Sequence, residues 1–204
     1  MDKAEEVIGE IEKQGMKSFI PVIGPKKGKI LDDTVRSIKP KLVVEVGTFI
    51  GYSAIRMARL LPNDGKILSI EISKKHAHLA RTNINRASLE DKIQVVVGDA
   101  RKVLPTVKSE IDLLFLDAEK HEYLAYLRLA EDKLHKGSIV VADNAGIFAK
   151  EMSDYLSCVR ESGRYKSTYH ESTLEFMDHI KDGVEVSRRL QNILSRLSHA
   201  DLCS

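Results

Sequence analysis

Residues 42–61 read LVVEVGTFIGYSAIRMARLL, and they set the frame for the rest of the chain. A β-rich apolar run, 42–46, breaks at Gly47, and a second glycine follows at Gly51. From Tyr52 to Leu61 the apolar residues fall at helical spacing. Strand, glycine turn and helix make the first part of a βαβ unit. The pattern then repeats. Further apolar runs occupy 66–72, 93–97, 111–116 and 138–142, and helical periodicity occupies 74–87, 100–107 and 121–134. The runs are apolar throughout, as expected of parallel strands covered on both faces. A further helix is expected at about 151–162. Residues 164–171 and 183–189 follow as two strand-like runs with no helix between them, which predicts an antiparallel pair closing the sheet. Upstream, 2–14 reads as a short surface helix. Residues 19–28 hold two prolines and two glycines and read as a loop; 29–38 reads as a helix ended by Pro40. The tail after 190 reads as a helix. The fold class is α/β: a doubly wound, mostly parallel sheet in one domain over 1–204, with a helical cap over about 1–40.

The 204 residues suffice for one large core. Thirty-two basic and 30 acidic residues leave a net charge of +2, too even for a footprint on bulk nucleic acid. Cys158 and Cys203 lie far apart and form neither a metal motif nor a disulfide framework, which points to a reducing compartment. The charged start, MDKAEEVIGEIEKQG, has no signal-peptide core. No apolar run approaches the roughly 18 to 20 residues that span a bilayer. The expectation is a cytoplasmic protein without a membrane partner.

In an open α/β sheet, ligands bind beyond the carboxyl ends of the strands. There the first strand delivers Gly47 and Gly51, whose backbone can approach a ligand closely beside the free N–H groups of a helix start. The spacing Gly-x-x-x-Gly is not that of a dinucleotide fold, and no phosphate-binding lysine follows. The second strand ends at Glu71, placed to accept from a ribose diol. The third ends at Asp99, which could accept from an adenine amino group. The fourth ends at Asp117, with Lys120 close behind, and the fifth at Asp143-Asn144. Three hard oxygen ligands on adjacent strand ends suit Mg²⁺ or Mn²⁺, and no His or Cys pair has zinc spacing. Singly, each residue has an ordinary reading: a turn for the glycines, a helix cap for Glu71 or Asp99, a turn pair for Asp143-Asn144, a surface lysine for Lys120. Together they bring an acidic residue to one edge from successive strands after a glycine turn. The seven histidines show no constellation.

The segments EVGTFIGYSAIRMARLL, SIEIS, VVGDARKVLP, FLDAEKHEYL and VADNAGIF, in that order, resemble the catechol O-methyltransferase family of S-adenosylmethionine-dependent enzymes. The resemblance runs from about Gly28 to Arg188. It implies a Rossmann-like class I methyltransferase fold of seven strands, the last antiparallel. It implies S-adenosylmethionine and Mg²⁺, or another divalent cation, as cofactors. By resemblance, Glu45, Gly47, Tyr52 and Ser53 line the methionine end of the cofactor, beside the turn at Gly51, Glu71 holds the ribose, and Asp99 and Ala100 flank the adenine. Asp117 borders the cofactor and also binds the metal with Asp143 and Asn144. Lys120 is the implied general base. Phe19, Glu119, Lys120, Asn144 and Glu175 surround the acceptor, with Glu175 meeting a second hydroxyl. The implied acceptor is a small hydroxylated molecule. Members of the family often dimerise, so a homodimer stays open.

The sequence departs from the family where the acceptor sits. The catechol enzyme walls its pocket with two tryptophans, and this chain has none. Phe19 and Glu119 stand in the two places, and Pro21 replaces a methionine. That predicts a wider pocket, partly open and acidic. Two other readings remain. One is a methyltransferase of a hydroxylated tRNA nucleoside, with Lys26, Lys27, Lys29, Arg56 and Arg59 as a basic rim. The other is a cofactor-binding protein without catalysis, against which the presence of Lys120 and the metal set speaks.

Overall fold

The alternation of strand and helix holds from residue 42 onward in a computed structural model that describes residues 2–190. The helix expected after 190 lies outside the described residues. The strands are β1 (Leu42–Val46), β2 (Lys66–Glu71), β3 (Ile93–Val97), β4 (Ile111–Leu116), β5 (Leu134–Ala142), β6 (Tyr165–Leu174) and β7 (Met177–Arg189). Helices α1 (Lys3–Lys17) and α2 (Gly24–Ile38) precede them. Helices α3 (Tyr52–Ala58), α4 (Lys74–Arg86), α5 (Ala100–Val103), α6 (Tyr123–Ala130) and α7 (Ser153–Glu161) lie between strands. One seven-stranded sheet results, in the order β3-β2-β1-β4-β5-β7-β6. The pairs among β1 to β5 are parallel, and β7 runs antiparallel to both β5 and β6.

Burial explains why the strands read as continuous apolar runs. Val43, Leu113, Phe115, Ile139 and Val141 pack on one face with α1 to α4. Their neighbours Val44, Leu114, Leu116, Val140 and Ala142 pack on the other with α5 to α7. Successive side chains point to opposite faces, and each face is covered. Each such aliphatic side chain contributes about 1.5 to 3 kcal/mol on burial. Helices α1 and α2 share the first of these two clusters, so the N-terminal cap is part of the packed structure.

Several boundaries differ from expectation. Helix α2 begins at Gly24 rather than 29, so Lys27 sits on a helix and not in a loop. Pro25 lies in its first turn, where a missing N–H costs nothing. Helix α5 gives way to a 3₁₀ turn at Leu104–Thr106, which contains Pro105. Helix α6 is flanked by 3₁₀ turns at Lys120–Glu122 and Glu131–Lys133. Strands β6 and β7 are longer than expected and form one hairpin, with Glu175 and Phe176 at its tip. Among the described residues, no helix is long and apolar enough to cross a membrane.

The topology places the site. From β1 the chain moves outward through β2 and β3, then crosses back to β4 on the other side of β1. The sheet reverses direction between β1 and β4, which is where an open α/β sheet leaves a crevice. Gly47 follows β1 and Asp117 follows β4, so both flank that crevice.

Candidate active site

A cavity of about 430 Å³ opens at this point. Gly47, Thr48, Phe49, Tyr52 and Ser53 line one side; Asp117, Lys120, Asn144 and Glu175 line another. Gly47 has φ +99°, and a Cβ there would lie 2.0 Å from the carbonyl oxygen of Asp117. Only glycine lets β1 and β4 end this close together. Gly51 takes φ +85° and starts α3 without a side-chain cap, which leaves the first helical N–H groups to other partners.

The residues expected to hold a cofactor divide into those on the cavity and those behind or beyond it. Gly47, Tyr52, Ser53 and Asp117 line it; Glu45, Gly51, Glu71, Asp99 and Ala100 do not. Glu45 is fully buried beneath Ser53, whose Oγ donates to it at 2.5 Å; the Ser69 hydroxyl donates to its other oxygen. Burial pushes the Glu45 carboxyl up to about 8, against the pull of the two serines. Glu71 is clamped at the end of β2, accepting the N–H of Phe49 and of Ser73, each at 2.8 Å. Each carboxylate oxygen has a second lone pair, so the clamp fixes Glu71 without exhausting it. Asp99 caps α5 through the Arg101 N–H at 2.9 Å and is gripped by the Arg101 guanidinium at 2.8 Å. These bonds hold its carboxyl low, at about 2. The Tyr52 hydroxyl turns away from the cavity and donates to Glu12 on α1 at 2.6 Å.

Of the expected metal ligands, Asp117 and Asn144 line the cavity and Asp143 lies buried outside its lining, and they bring company that the sequence did not announce. Asp143 follows β5 and is fully buried; Asn144 follows it at φ +60°. The ammonium of Lys27, also fully buried, lies between three carboxylates. It is 2.8 Å from Asp143 Oδ1, 2.7 Å from Glu175 Oε1 and 2.7 Å from Asp182 Oδ2. Burial alone would lower the Lys27 ammonium; the three carboxylates outweigh it and raise it above the ordinary lysine value. Asn144 Nδ2 donates to Glu175 Oε1 at 3.1 Å and to Asp182 Oδ2 at 2.9 Å. Lys120 Nζ donates to Asp117 Oδ1 at 3.1 Å and to the Tyr123 hydroxyl at 2.8 Å. Among the described residues, no three of Asp, Glu, His and Cys form a group that could hold a metal unaided. The expected set relies on two carboxylates and the Asn144 amide. The sequence does not single out Asp182 or Tyr123, and it offers Lys27 only as part of a basic rim.

The mouth of the cavity corrects two expectations. Glu119 does not wall it: its side chain is 63% exposed, with Oε1 3.3 Å from His121 Nδ1. Phe19 does line the cavity, with Pro21, Val22, Ile147, Phe148 and Leu174. The wall that lacks tryptophan is therefore apolar rather than acidic, and Ile147, Phe148 and Leu174 supply the surface that sequence reasoning missed. The basic rim is absent too. Lys27 and Arg56 are buried, and Arg56 is bound to Asp32. Arg59 pairs with Asp32 and Glu5, Lys26 with Asp178, and Lys29 with Asp33. None of the five lines the cavity.

Known proteins agree with this architecture. A model of the O-methyltransferase family matches residues 2–161. Catechol O-methyltransferase of Mus musculus is 36% identical over 176 residues, which are 83% of this chain and 65% of that protein. Catechol O-methyltransferase B of Danio rerio is 40% identical over 172 residues, 81% of this chain and 64% of that protein. The chain thus spans just under two thirds of the length of these two relatives. Among solved structures, the O-methyltransferase of Bacillus cereus in complex with SAH superposes with a TM-score of 0.79 at 25% identity, over 93% of this chain and 91% of that one. Similarity of this extent, on a chain with the same sheet, makes this protein a member of the O-methyltransferase family.

Proposed function

We propose that this chain transfers a methyl group from S-adenosylmethionine to one hydroxyl of a small vicinal diol, with a divalent cation and Lys120 as general base. One observation carries the reading. The glycine turn, with Tyr52 and Ser53, shares a single cavity of about 430 Å³ with Lys120, Asn144 and Glu175. That volume suits a small molecule.

The residues fit both absent groups. Gly47 lines the cavity with bare backbone, which a cofactor can approach closely. The fixed Glu71 carboxylate lies further along the same strand ends. For a cation, charge is the test. Among the described residues, the carboxyls of Asp117, Asp143, Glu175 and Asp182 stand against the ammoniums of Lys27 and Lys120, four acidic groups against two basic ones, and burial pushes the Asp143 carboxyl up to about 7, as in a group short of positive charge. Asp143 Oδ1 is buried near Lys27 yet lies outside hydrogen-bond geometry. Asp117, Asp143 and Asn144 would hold the ion.

S-adenosylmethionine, when bound, supplies a methyl carbon already activated on a sulfonium. A divalent cation, when bound, supplies positive charge that favours the ionised form of a hydroxyl whose pKa, for a phenol, is otherwise near 10. The chain does the rest. In its neutral amine form, Lys120 Nζ takes up the proton of the reacting hydroxyl and becomes the ammonium. Glu175 accepts from the neighbouring hydroxyl and fixes the ring. The apolar wall of Phe19, Ile147, Phe148 and Leu174 displaces water, so charges in the site interact strongly. Fixed orientation of donor and acceptor can supply several kcal/mol, up to roughly 7 to 11 in the best cases.

The test is methyl transfer from labelled S-adenosylmethionine to catechol, a bulky catechol, a matched monohydroxyl phenol and a tRNA fraction. The expected result is labelling of the diols with Mg²⁺ and none after exhaustive EDTA treatment. Equal rates on the diol and the monohydroxyl phenol, or full transfer without metal, would overturn the reading. Labelling of the tRNA alone would replace the acceptor.

A second prediction concerns Glu71. Glu71→Ala removes the acceptor for the ribose and strands two backbone N–H groups, so calorimetry should show cofactor binding weakened by about 1.5 to 3 kcal/mol. Unchanged affinity would remove Glu71 from the cofactor site. The thermal midpoint should fall as well, because the Phe49 and Ser73 bonds exist without ligand.

A further inference from the structure

Lys27 takes no part in the chemistry proposed above, yet it touches two residues on which that chemistry depends, Asp143 and Glu175. Its ammonium contacts Asp143, Glu175 and Asp182, which arrive from 116, 148 and 155 residues along the chain. A buried charge held by three partners is costly to assemble, and a packed apolar group would often serve stability as well. The geometry suggests what the ammonium does. Both hydrogen bonds to Glu175 end on Oε1, one from Lys27 and one from Asn144. Oε2 takes neither of them, and Glu175 lines the cavity. Asn144 has two carboxylates on one side, and carboxylates only accept, so its NH₂ must face them and its carbonyl oxygen the other way. Those two carboxylates are themselves held by Lys27.

We propose that Lys27 is a positioning residue for the acceptor: its buried ammonium fixes the Glu175 carboxylate so that one oxygen is presented to the cavity. This rests on the reading of Glu175 as the partner of a second acceptor hydroxyl. Lys27 acts through Glu175 and touches no reacting atom. Preference for a vicinal diol over a single hydroxyl therefore depends on a lysine that does not line the cavity.

The test is a double-mutant cycle with Lys27→Met, Glu175→Gln and the pair together. Methionine keeps most of the aliphatic tail, and the double variant removes one charge of each sign, so the buried charge balance is kept. Two readouts are taken on folded protein: the diol-to-monohydroxyl ratio of kcat/KM, and calorimetric affinity for the diol on protein loaded with S-adenosylhomocysteine and Mg²⁺. Lys27→Met should lower diol affinity about tenfold or more, as loss of a charged hydrogen bond does, with cofactor affinity nearly unchanged. The double variant should be no worse than Glu175→Gln, because the two act as one unit. A folded Lys27→Met protein with the wild-type ratio would overturn the proposal, and so would losses that multiply in the double variant. Should Lys27→Met not fold, the double variant is compared with Glu175→Gln alone: equal diol affinity supports the proposal, and a further tenfold loss refutes it. A wild-type protein with no preference for the diol would instead sink the reading of Glu175, and this inference with it.

Discussion

Lys120→Ala should lower kcat by about 10² to 10⁴, the range that a positioned general base contributes. Lys120 lines the cavity, and its ammonium nitrogen is held by Asp117 on one side and Tyr123 on the other. Tyr123 is fully buried, so this second contact comes from a fixed ring and not from a mobile surface group. The substitution removes the proton acceptor and leaves Gly47, Ser53 and Glu71 in place. Calorimetric affinity for the cofactor should therefore stay close to wild type while kcat falls, the pattern of an interaction made in the transition state. Lys120→Arg separates base from charge. Arginine keeps the positive charge beside Asp117 but cannot be deprotonated in a protein. It should remain about as impaired as alanine. An arginine variant with near wild-type kcat would show that Lys120 contributes charge alone.

Gly47→Ala should be among the most damaging single changes in the chain, costing more than about 4 kcal/mol of stability. A left-handed backbone costs a non-glycine residue roughly 1 to 2 kcal/mol. The larger part is steric. The added Cβ would meet the Asp117 carbonyl oxygen at 2.0 Å and its carbon at 2.7 Å, both backbone atoms. Neither can move freely, because Asp117 N–H is bound to Val46 and Gly47 N–H to Ile70. Relief requires β1 and β4 to part where both halves of the cavity begin. Gly137→Ala is the control: φ is +100° there too, but nothing lies within 4 Å of the added carbon. Denaturant titration should show a large loss for Gly47→Ala and only the conformational cost for Gly137→Ala. Similar midpoints for the two would show that the strand ends yield easily.

The sheet is legible in the sequence because parallel strands buried on both sides leave uninterrupted apolar runs. The polar residues that follow them mark strand ends almost by default. That is why Glu71, Asp99, Asp117 and Asp143 can be placed on one edge before any coordinates are known. Lys27 is harder to see. It stands in the run Lys26-Lys27-Gly28-Lys29, which reads as a solvated basic loop, and its three partners come from distant parts of the chain. One signal was available. The buried positions of α2 include Gly24, Lys27, Gly28, Leu31 and Val35, a helical stripe that can be extended backwards from Leu31 and Val35. A proline in a first turn hides such a start, since it looks like a break. Asp182 sits in Lys181-Asp182-Gly183, which reads as a turn, although β7 runs straight through it. The apolar wall was missed for another reason: Ile147, Phe148 and Leu174 lie in irregular or hairpin segments, where periodicity gives no direction.

The β6–β7 hairpin joins the sheet only through β7 on β5, and it lies beyond the stretch that matches the family model, which ends at residue 161. The donor side of the cavity is thus made by the parallel strands, while Leu174, Glu175 and Asp182 arrive on the antiparallel hairpin at the sheet's edge. A hairpin of different sequence would therefore change the acceptor side of the cavity and leave the donor side alone. Such a change has one constraint. The new hairpin must carry carboxylates at the places of Glu175 and Asp182, because a chain that keeps Lys27 would otherwise hold a buried cation short of counter-charge.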